Sequence, residues 1–338
     1  MSKKMTVGVI GTGGMGASHV RTLFESSQAV SVAALADVDE KRMHSLAQEV
    51  SCQKCFTDPT HLIEEVDAVV IASPDSTHAQ YVMHALTLGK PVFCEKPLAS
   101  SVAEIREIIA LEQSIGKKLV SVGFNRRFDP HHTSVKQEID EKTLARPLLW
   151  KGEHRNPQAM YHNSGPFILN NSAGHDVDSA RWILNSEPKE VFCSGIKSRD
   201  SLDDDACDLL IMNILMESGS RALAEIYVNA AYGYEVSLQV VCQEGTVQSN
   251  PVQRTTIKHA GRQMGHITDD FRQYFARSYV LEMQQWAASI TEDRPFKGAD
   301  AWDGYMALLT TETAAKALKQ GTVCPIERIE KPPLYQEH

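Results

Sequence analysis

Apolar runs alternate with segments of helical periodicity over residues 1–125 of the chain. Uninterrupted apolar runs are typical of strands that are buried on both faces of a parallel sheet. The predicted strands are Val7–Ile10, Val30–Ala36, Asp67–Ala72, Pro91–Cys94 and Lys118–Phe124, and the predicted helices are Met15–Ser26, Glu40–Val50, His78–Leu88 and Val102–Ile115. Because strands and helices alternate, the pattern predicts a doubly wound parallel sheet of the Rossmann type.

The pattern changes after Asn125, where strand-like segments follow one another. The predicted strands are Leu148–Arg155, Val191–Ile196, Ala206–Met216, Arg221–Asn229, Glu235–Gln243 and Thr246–Ser249, with helices at about Gly174–Leu184, Tyr279–Ile290 and Tyr305–Lys319. A run of strands after a βα half predicts a separate α+β domain with a largely antiparallel mixed sheet. We therefore predict an α/β protein with a Rossmann domain over residues 1–125 and an α+β domain over residues 126–338, whose C-terminal helices could pack back on the first domain.

Composition restricts the class of protein and of partner. The length of 338 residues favours two domains, since one domain usually has about 100–200 residues. The formal net charge of -9 argues against a nucleic-acid partner, because phosphate binding needs a basic face. We find no apolar run long enough for a transmembrane helix and no signal-peptide pattern, and the seven cysteines are scattered. We therefore expect a cytoplasmic, reduced protein with no membrane partner.

Histidine and cysteine residues do not show the spacing of a metal site. Cys52 and Cys55 form a C-x-x-C motif without a second pair, and His131 and His132 are adjacent rather than spaced for a shared ion. The sequence therefore predicts no metal.

A glycine-rich turn follows the first predicted strand. Gly11-Thr12-Gly13-Gly14-Met15-Gly16 fits the pattern G-x-G-x-x-G and opens the next helix. In a dinucleotide-binding turn, Gly11 would permit the tight turn, Gly13 would let the main chain approach the pyrophosphate, and Gly16 would allow close helix packing. The helix N-terminus would then face the phosphates. A strand-to-helix turn without a ligand is the alternative.

Asp37 ends the next predicted strand, 21 residues after Gly16. A carboxylate at this place can accept hydrogen bonds from the adenosine ribose hydroxyls and would repel a 2′-phosphate, so the sequence favours NAD over NADP. We interpret Arg42, which lies five residues further on, as a solvated helix residue. A Rossmann-type methyltransferase also uses a glycine turn and an acidic residue, and it stays open as an alternative.

Two segments carry candidate catalytic groups. Lys96 follows the Pro91–Cys94 strand directly, and ligands of such sheets bind at the carboxyl ends of the strands. A lysine there can donate to a reacting oxygen and stabilise a developing alkoxide. His175 begins the Gly174–Leu184 helix and shares a face with Asp178, and histidine suits general-base work on a hydroxyl proton. A surface lysine and a capping histidine are the alternatives.

These motifs together resemble the Gfo/Idh/MocA oxidoreductase family over nearly the whole chain. The stretches that carry the resemblance are Gly11–Gly16, Pro74–His78, Cys94–Ala99, Gly123–Pro130 and Gly174–Leu184. The resemblance implies a Rossmann domain followed by a mixed-sheet domain, homotetramers formed through the exposed face of the second sheet, and a catalytic pair of Lys96 and His175. It also implies that Ser73, Pro74, His78, Glu95 and Lys96 contribute to the cofactor site.

Within the family, two further segments, Glu153–Pro157 and Tyr232–Glu235, resemble the inositol 2-dehydrogenases. The resemblance implies an NAD-dependent oxidation of a ring hydroxyl of a cyclic polyol, an inositol, to an inosose. The residues that it assigns to the polyol pocket are Asn125, Arg126, His154, Asn156, Asp178 and Tyr234. Another sugar or keto-sugar as substrate, and a dinucleotide-binding sensor without catalysis, are the alternatives.

Asn171 departs from the pattern of the inositol enzymes. They carry an aspartate four residues before the catalytic histidine, which completes a Lys–Asp–His set, and this chain has Asn171 there. An asparagine can hydrogen-bond a hydroxyl or Lys96, but it cannot carry negative charge or relay a proton. We therefore place Asn171 in the catalytic site and assign the base to His175.

Overall fold

The computed structural model of the chain describes residues 4–26, 29–159, 164–200, 202–203, 206–249 and 256–336. The chain divides into two compact units. The first consists of Met1–Phe128, Arg277–Tyr305 and Ile329–His338, and the second of Asp129–Ala276 and Met306–Arg328. The first unit thus takes chain from both ends of the sequence.

The elements up to residue 145 alternate between strand and helix. They are β1 (Met5–Ile10), α1 (Gly14–Ser26), β2 (Val30–Ala36), α2 (Glu40–Glu49), β3 (Lys54–Phe56), α3 (Pro59–Glu65), β4 (Ala68–Ile71), α4 (His78–Thr87), β5 (Val92–Cys94), α5 (Val102–Ile115), β6 (Val120–Val122) and α6 (Pro130–Asp140). Short 3₁₀ turns lie at Asp75–Thr77 and Asn125–Phe128.

Strands dominate the remaining chain until its C-terminal helices. The elements are β7 (Pro147–Arg155), α7 (Gly165–Ile168), a π-helical turn (Leu169–Ala173), α8 (Gly174–Leu184), β8 (Pro188–Ile196), β9 (Leu209–Met216), β10 (Arg221–Tyr227), β11 (Glu235–Cys242), β12 (Thr246–Gln248), β13 (Thr256–His259), β14 (Arg262–Gly265), α9 (Phe271–Tyr274), α10 (Ala276–Thr291), β15 (Ala299–Asp300), α11 (Ala301–Gln320), β16 (Cys324–Pro325) and a 3₁₀ turn (Pro333–Tyr335).

The sheet of the first unit has the order β15-β6-β5-β4-β1-β2-β3. Strands β1 to β6 pair in parallel, and β15 adds to the edge in antiparallel orientation. All four residues of β4 are fully buried, as expected for a strand that is covered on both faces. The predicted doubly wound parallel sheet is confirmed.

Strand β3 and helix α3 of this unit were not predicted from the sequence. Strand β3 has only three residues, with Lys54 exposed, so it lacks an apolar run. Helix α3 begins with the signals of an N-terminus, since the Asp58 side chain accepts a hydrogen bond from the Thr60 amide and Pro59 occupies the first turn. These capping signals are visible in the sequence, but a helix of seven residues is too short to show a clear helical periodicity.

The second sheet has the order β12-β11-β7-β10-β9-β8-β16. All its pairs are antiparallel except β7 with β10, which is parallel. Burial alternates along β9, β10 and β11, so one face of the sheet is buried and the other is not. This confirms the predicted mixed, largely antiparallel sheet. Strand β9 begins at Leu209, three residues later than predicted. The buried Asp208 just before it accepts side-chain hydrogen bonds from Ser198 and Asn229.

Among the described residues, no helix is both long enough and apolar enough to cross a membrane.

Candidate active site

In the glycine-rich turn between β1 and α1, close contacts within the protein leave no room for a side chain at two of the glycines. Gly11 has a positive φ of 87°, and a Cβ there would lie 2.4 Å from the Ala72 carbonyl oxygen. A Cβ on Gly16 would lie 1.8 Å from the Gly11 carbonyl oxygen. At Gly13, in contrast, a Cβ would have no described atom within 4 Å. The turn therefore leaves open space at Gly13, beside the N-terminus of α1, as a bound pyrophosphate requires.

Asp37 follows β2 and is almost fully buried. Its Oδ2 accepts hydrogen bonds from the Thr12 amide at 2.6 Å and the Thr12 hydroxyl at 2.7 Å, and Arg42 Nη2 donates to both oxygens at 2.9 and 3.0 Å. Burial by itself raises the pKa of Asp37, but the hydrogen bonds from Asp39, Thr12 and Arg42 outweigh it and lower the pKa to about 2. The carboxylate is thus ionised and fixed against the glycine-rich turn.

Arg42 corrects one interpretation of the sequence. The side chain is half exposed, but its guanidinium pairs with Asp37 rather than pointing only into solvent. The signal was present as an arginine on the first turn of α2, five residues after Asp37. The main-chain amides at the α1 N-terminus, the open space at Gly13 and the Asp37 carboxylate as acceptor together fit a dinucleotide.

The loop after β4 contains Ser73, Pro74 and His78. Thr77 Oγ1 donates to the Pro74 carbonyl and accepts from the Ser73 hydroxyl, each at 2.7 Å. His78 is buried, with Nδ1 2.7 Å from the Pro97 carbonyl oxygen and Nε2 2.9 Å from the Ser73 carbonyl oxygen. The His78 side chain therefore joins two loops at the carboxyl edge of the sheet, and its contact with a cofactor stays a prediction.

Glu95, Lys96 and Pro97 follow β5 directly, and the Lys96–Pro97 bond is cis. The Glu95 carboxylate lies 2.7 Å from Nε2 of the buried His19, on helix α1. Lys96 is half-buried. The structure thus places the predicted lysine beside the end of β4, at the carboxyl edge of the parallel strands.

Asn125 and Arg126 begin the 3₁₀ turn after β6, so they also lie at the carboxyl edge of the first sheet. Both are buried to 2% exposure, and Asn125 Nδ2 donates to the Ser278 hydroxyl at 3.0 Å. Arginine side chains are seldom fully buried. The guanidinium of Arg126 has several hydrogen-bond donors in a fixed plane.

In the second unit, the π-helical turn Leu169–Ala173 leads directly into α8. It contains Asn171, whose Nδ2 donates to the Phe167 carbonyl at 3.4 Å. His175 follows four residues later and is half-buried. Single π turns within helices often occur at functional sites. The helical spacing puts Asn171 and His175 on one face.

The structure brings three polar or aromatic residues together near His175. His154, on β7, has its Nδ1 2.9 Å from Asp176 Oδ2, and both side chains are buried. The His154 ring also meets the Tyr234 ring edge-on at a centroid distance of 6.0 Å. Sequence reasoning missed Asp176 as the partner of His154, because the two residues are 22 positions apart and no local motif links them.

The other predicted pocket residues of this unit have separate surroundings. Asn156 follows β7, and its main chain pairs with Tyr227 and Ala230. Asp178, on α8, is fully buried, and its Oδ1 lies 4.0 Å from the Arg181 guanidinium.

Across the described ranges, no group of three or more histidine, cysteine or acidic side chains could hold a metal ion.

A parallel sheet with a glycine-rich turn, an ionised aspartate after β2 and a lysine after β5 defines a dinucleotide-binding oxidoreductase of the Rossmann type. Residues 5–124 match the model of an oxidoreductase family with an NAD-binding Rossmann fold, and residues 132–248 match the GFO/IDH/MocA C-terminal domain.

Several inositol dehydrogenases align with this chain over almost its whole length. The inositol 2-dehydrogenase of Rubrobacter xylanophilus is 36% identical, over 99% of this chain and 97% of its own length. Inositol 2-dehydrogenase 1 of Saccharopolyspora erythraea is also 36% identical, over 97% of this chain and 98% of its own length. The crystal structure of myo-inositol dehydrogenase from Lactobacillus casei, in complex with NAD(H) and myo-inositol, superimposes with a TM-score of 0.93 at 27% identity and covers 99% of this chain and 100% of that chain.

The chain belongs to the GFO/IDH/MocA oxidoreductase family. The predicted family, the oxidoreductase class and NAD as the cofactor are confirmed, and the methyltransferase alternative is excluded.

Proposed function

We propose that this protein oxidises a ring hydroxyl of an inositol to the corresponding inosose with NAD⁺. The observation that carries the proposal is the superposition over 99% of the chain with a protein that was crystallised with NAD(H) and myo-inositol. Eight proteins named inositol 2-dehydrogenases, at 31–36% identity, support the same substrate class.

Cofactor binding is assigned to the first unit. The residues proposed for it are Gly11, Thr12, Gly13, Gly14, Met15, Gly16, Asp37, Ser73, Pro74, His78, Glu95 and Lys96. The ionised Asp37 accepts from ribose hydroxyls and repels a 2′-phosphate, which selects NAD over NADP. When bound, NAD supplies the hydride acceptor, while the protein supplies position and charge.

Lys96 and His175 are the proposed catalytic pair. His175 accepts the hydroxyl proton, and the Lys96 ammonium donates a hydrogen bond to the same oxygen and stabilises its developing negative charge. With the proton on His175, the carbinol carbon can give up its hydride, which bound NAD⁺ would accept, and the oxygen becomes the carbonyl of the inosose. Asn171 takes part through its amide hydrogen bonds alone, since an amide does not ionise and so cannot relay a proton.

The proposed polyol-binding residues are Asn125, Arg126, His154, Asn156, Asp178 and Tyr234. His154 is the best defined of these, because the buried Asp176 carboxylate can only accept and so fixes the imidazole hydrogen on Nδ1. A hydroxyl-rich ring needs such fixed donors and acceptors to be read stereochemically.

Domain roles, assembly and location complete the proposal. We assign NAD binding to residues 1–125, and substrate binding and oligomerisation to residues 126–338. A homotetramer is supported by the half-buried face of the second sheet, which carries Ile211, Leu215, Leu223 and Tyr227. We propose a cytoplasmic location.

A second candidate substrate is another cyclic sugar or keto-sugar. Asn171 favours it, because a neutral amide stands where the inositol enzymes carry an aspartate. The same Lys96 and His175 would perform the same hydride chemistry on that substrate.

The test is NADH production at alkaline pH from NAD⁺ and a panel of myo-inositol, scyllo-inositol, D-chiro-inositol, glucose and xylose, with NADP⁺ in parallel. Turnover of an inositol with NAD⁺ alone is expected, and Lys96→Met should abolish it while NADH still binds. Turnover of glucose or xylose only would support the second candidate. Normal turnover by Lys96→Met would contradict the assigned role of Lys96.

A further inference from the structure

Two buried histidines hold the loop that carries Lys96, and neither takes part in the proton and hydride transfer proposed above. His19 lies on α1, three residues after the glycine-rich turn, and is 0% exposed. His78 opens α4 and is 1% exposed. They act on opposite sides of Lys96, because His19 meets the Glu95 carboxylate and His78 meets the Pro97 carbonyl.

The Glu95 carboxylate is enclosed on several sides. Oε1 lies 2.7 Å from His19 Nε2, and Oε2 accepts from the Lys96 amide at 3.3 Å. A Cβ on Gly123 would lie 3.0 Å from Oε2, so only a glycine leaves room for this carboxylate without a shift. Burial raises the pKa of Glu95, but the hydrogen bond from His19 and the charge of Lys96 outweigh burial and lower it. Glu95 is therefore an ionised acceptor.

The orientation of the His19 ring follows from its neighbours. An ionised carboxylate only accepts, so His19 must donate from Nε2. Within the described part of the chain, Nδ1 has no hydrogen-bond partner, which agrees with a ring whose hydrogen is on Nε2. The ring packs edge-on against Phe93 at 5.5 Å, and Phe93 packs against Trp286 at 5.9 Å. The donor is thus aimed by close packing.

His78 fixes the other side of the loop. Its two ring nitrogens lie 2.7 Å from the Pro97 carbonyl oxygen and 2.9 Å from the Ser73 carbonyl oxygen. Both carbonyl oxygens can only accept, so a ring with one hydrogen donates to one of them and lies against the other, and a ring with two hydrogens donates to both. In either form the side chain lies between the chain after Lys96 and the loop after β4. Both loops lie at the carboxyl edge of the sheet, where ligands of such folds bind.

We propose that His19 and His78 are positioning residues that fix the main chain before and after Lys96 and so aim its ammonium group. A lysine has a long, flexible side chain, so the place of its ammonium depends on how well its main chain is held. A misplacement of about 1 Å in such a site can cost about 100-fold in rate. The inference rests on the proposed function of Lys96.

The test compares His19→Leu with His19→Gln. Glutamine retains a donor that can reach Glu95 Oε1, whereas leucine fills similar space without one. We expect His19→Leu to lower kcat by about 10- to 100-fold, with the Kd for NADH changed by less than about threefold, and His19→Gln to recover most of kcat. His78→Leu should lower kcat as well, but its Kd for NADH is not used as a criterion, because His78 is also assigned to the cofactor site. His61→Leu, at an exposed histidine of α3, is the matched control.

Three outcomes would overturn the proposal. They are a His19→Leu enzyme with normal kcat, equal losses in the leucine and glutamine variants, and a loss of NADH affinity that parallels the loss of kcat. If His19→Leu does not fold, His19→Asn replaces it, because its shorter amide breaks the bond to Glu95 without adding bulk.

A second measurement does not depend on turnover. Lysines are reductively methylated with ¹³C, and the Lys96 resonance is assigned by its loss in Lys96→Met. We expect it to shift in His19→Leu and to stay in place in His19→Gln, and an unchanged resonance in both would overturn the proposal. If the wild type binds NADH but oxidises no polyol, the proposed function fails, and this resonance alone decides whether the histidines position Lys96.

Discussion

Tyr335, near the C-terminus, donates a hydrogen bond of 2.5 Å to the fully buried carboxyl group of Glu112 on α5. The second oxygen of Glu112 accepts from the Leu119 and Val120 amides at the start of β6. This carboxyl group therefore ties the C-terminal segment of the first unit to a helix and a strand of its sheet.

Glu112 predicts a pH dependence of stability. Burial, with a smaller contribution from the nearby Asp300, outweighs the hydrogen bonds from Tyr335, Val120 and Leu119 and raises the pKa of Glu112 from 4.5 to about 7. Because the folded-state value lies above the unfolded one, this stabilising contribution is complete below about pH 4.5 and is lost as the pH rises through about 7. The free energy of unfolding should fall by about 3 kcal/mol over this pH range.

The measurement is the free energy of unfolding of wild type and Glu112→Gln between mildly acidic and mildly alkaline pH. We expect the fall seen in the wild type to be absent in Glu112→Gln and to persist in Glu107→Gln, an exposed control on the same helix. Parallel pH profiles for wild type and Glu112→Gln would contradict the assignment.

Substitutions of Gly13 and Gly16 by alanine are predicted to have different effects. Gly13→Ala adds a Cβ that meets no described protein atom, whereas in Gly16→Ala the Cβ would lie 1.8 Å from the Gly11 carbonyl oxygen. We expect Gly13→Ala to melt like the wild type but to bind NADH at least about tenfold more weakly, because the Cβ enters the phosphate site. Gly16→Ala should lower the melting temperature. Normal NADH binding by Gly13→Ala would remove the turn from the cofactor site.

Asp37 and Arg42 are predicted to control the choice between NAD and NADP. Asp37→Ser removes the carboxylate that binds ribose hydroxyls and releases the Arg42 guanidinium for a 2′-phosphate. We expect kcat/KM to fall by about 10- to 100-fold with NAD⁺, in line with the loss of charged hydrogen bonds, and to rise with NADP⁺. Adding Arg42→Ala should cancel the gain with NADP⁺. A gain that survives in the double variant would show that Arg42 has no part in it.

Asn171 is predicted to limit the rate with inositol. In Asn171→Asp a carboxylate four residues before His175 can stabilise the imidazolium that forms when His175 takes the proton, so we expect kcat to rise by about tenfold. Asn170→Asp, at the exposed neighbouring position, should leave kcat unchanged. The measurement is kcat of the wild type and both variants in steady-state kinetics with the best substrate of the panel. A lower kcat in Asn171→Asp would mean that this site is built for an amide, which favours the second candidate substrate.

The sequence by itself determined the sheets and the cofactor class. Continuous apolar runs such as Ala68–Ile71 are typical of strands that are covered on both faces, and apolar–polar alternation such as that of Glu235–Cys242 is typical of strands that are covered on one face. Gly11, Gly16 and Asp37 were readable because a dinucleotide turn is a local motif, with all its parts in one βαβ unit.

Tertiary structure alone decided which buried polar groups meet. His19 and Glu95 are 76 positions apart, His154 and Asp176 are 22 apart, and Glu112 and Tyr335 are 223 apart. No periodicity or local motif connects such pairs, and each residue taken alone suits a solvent-facing helix or strand position equally well. They become partners because a buried donor or acceptor must find a hydrogen bond, and packing determines which groups are within reach of one another.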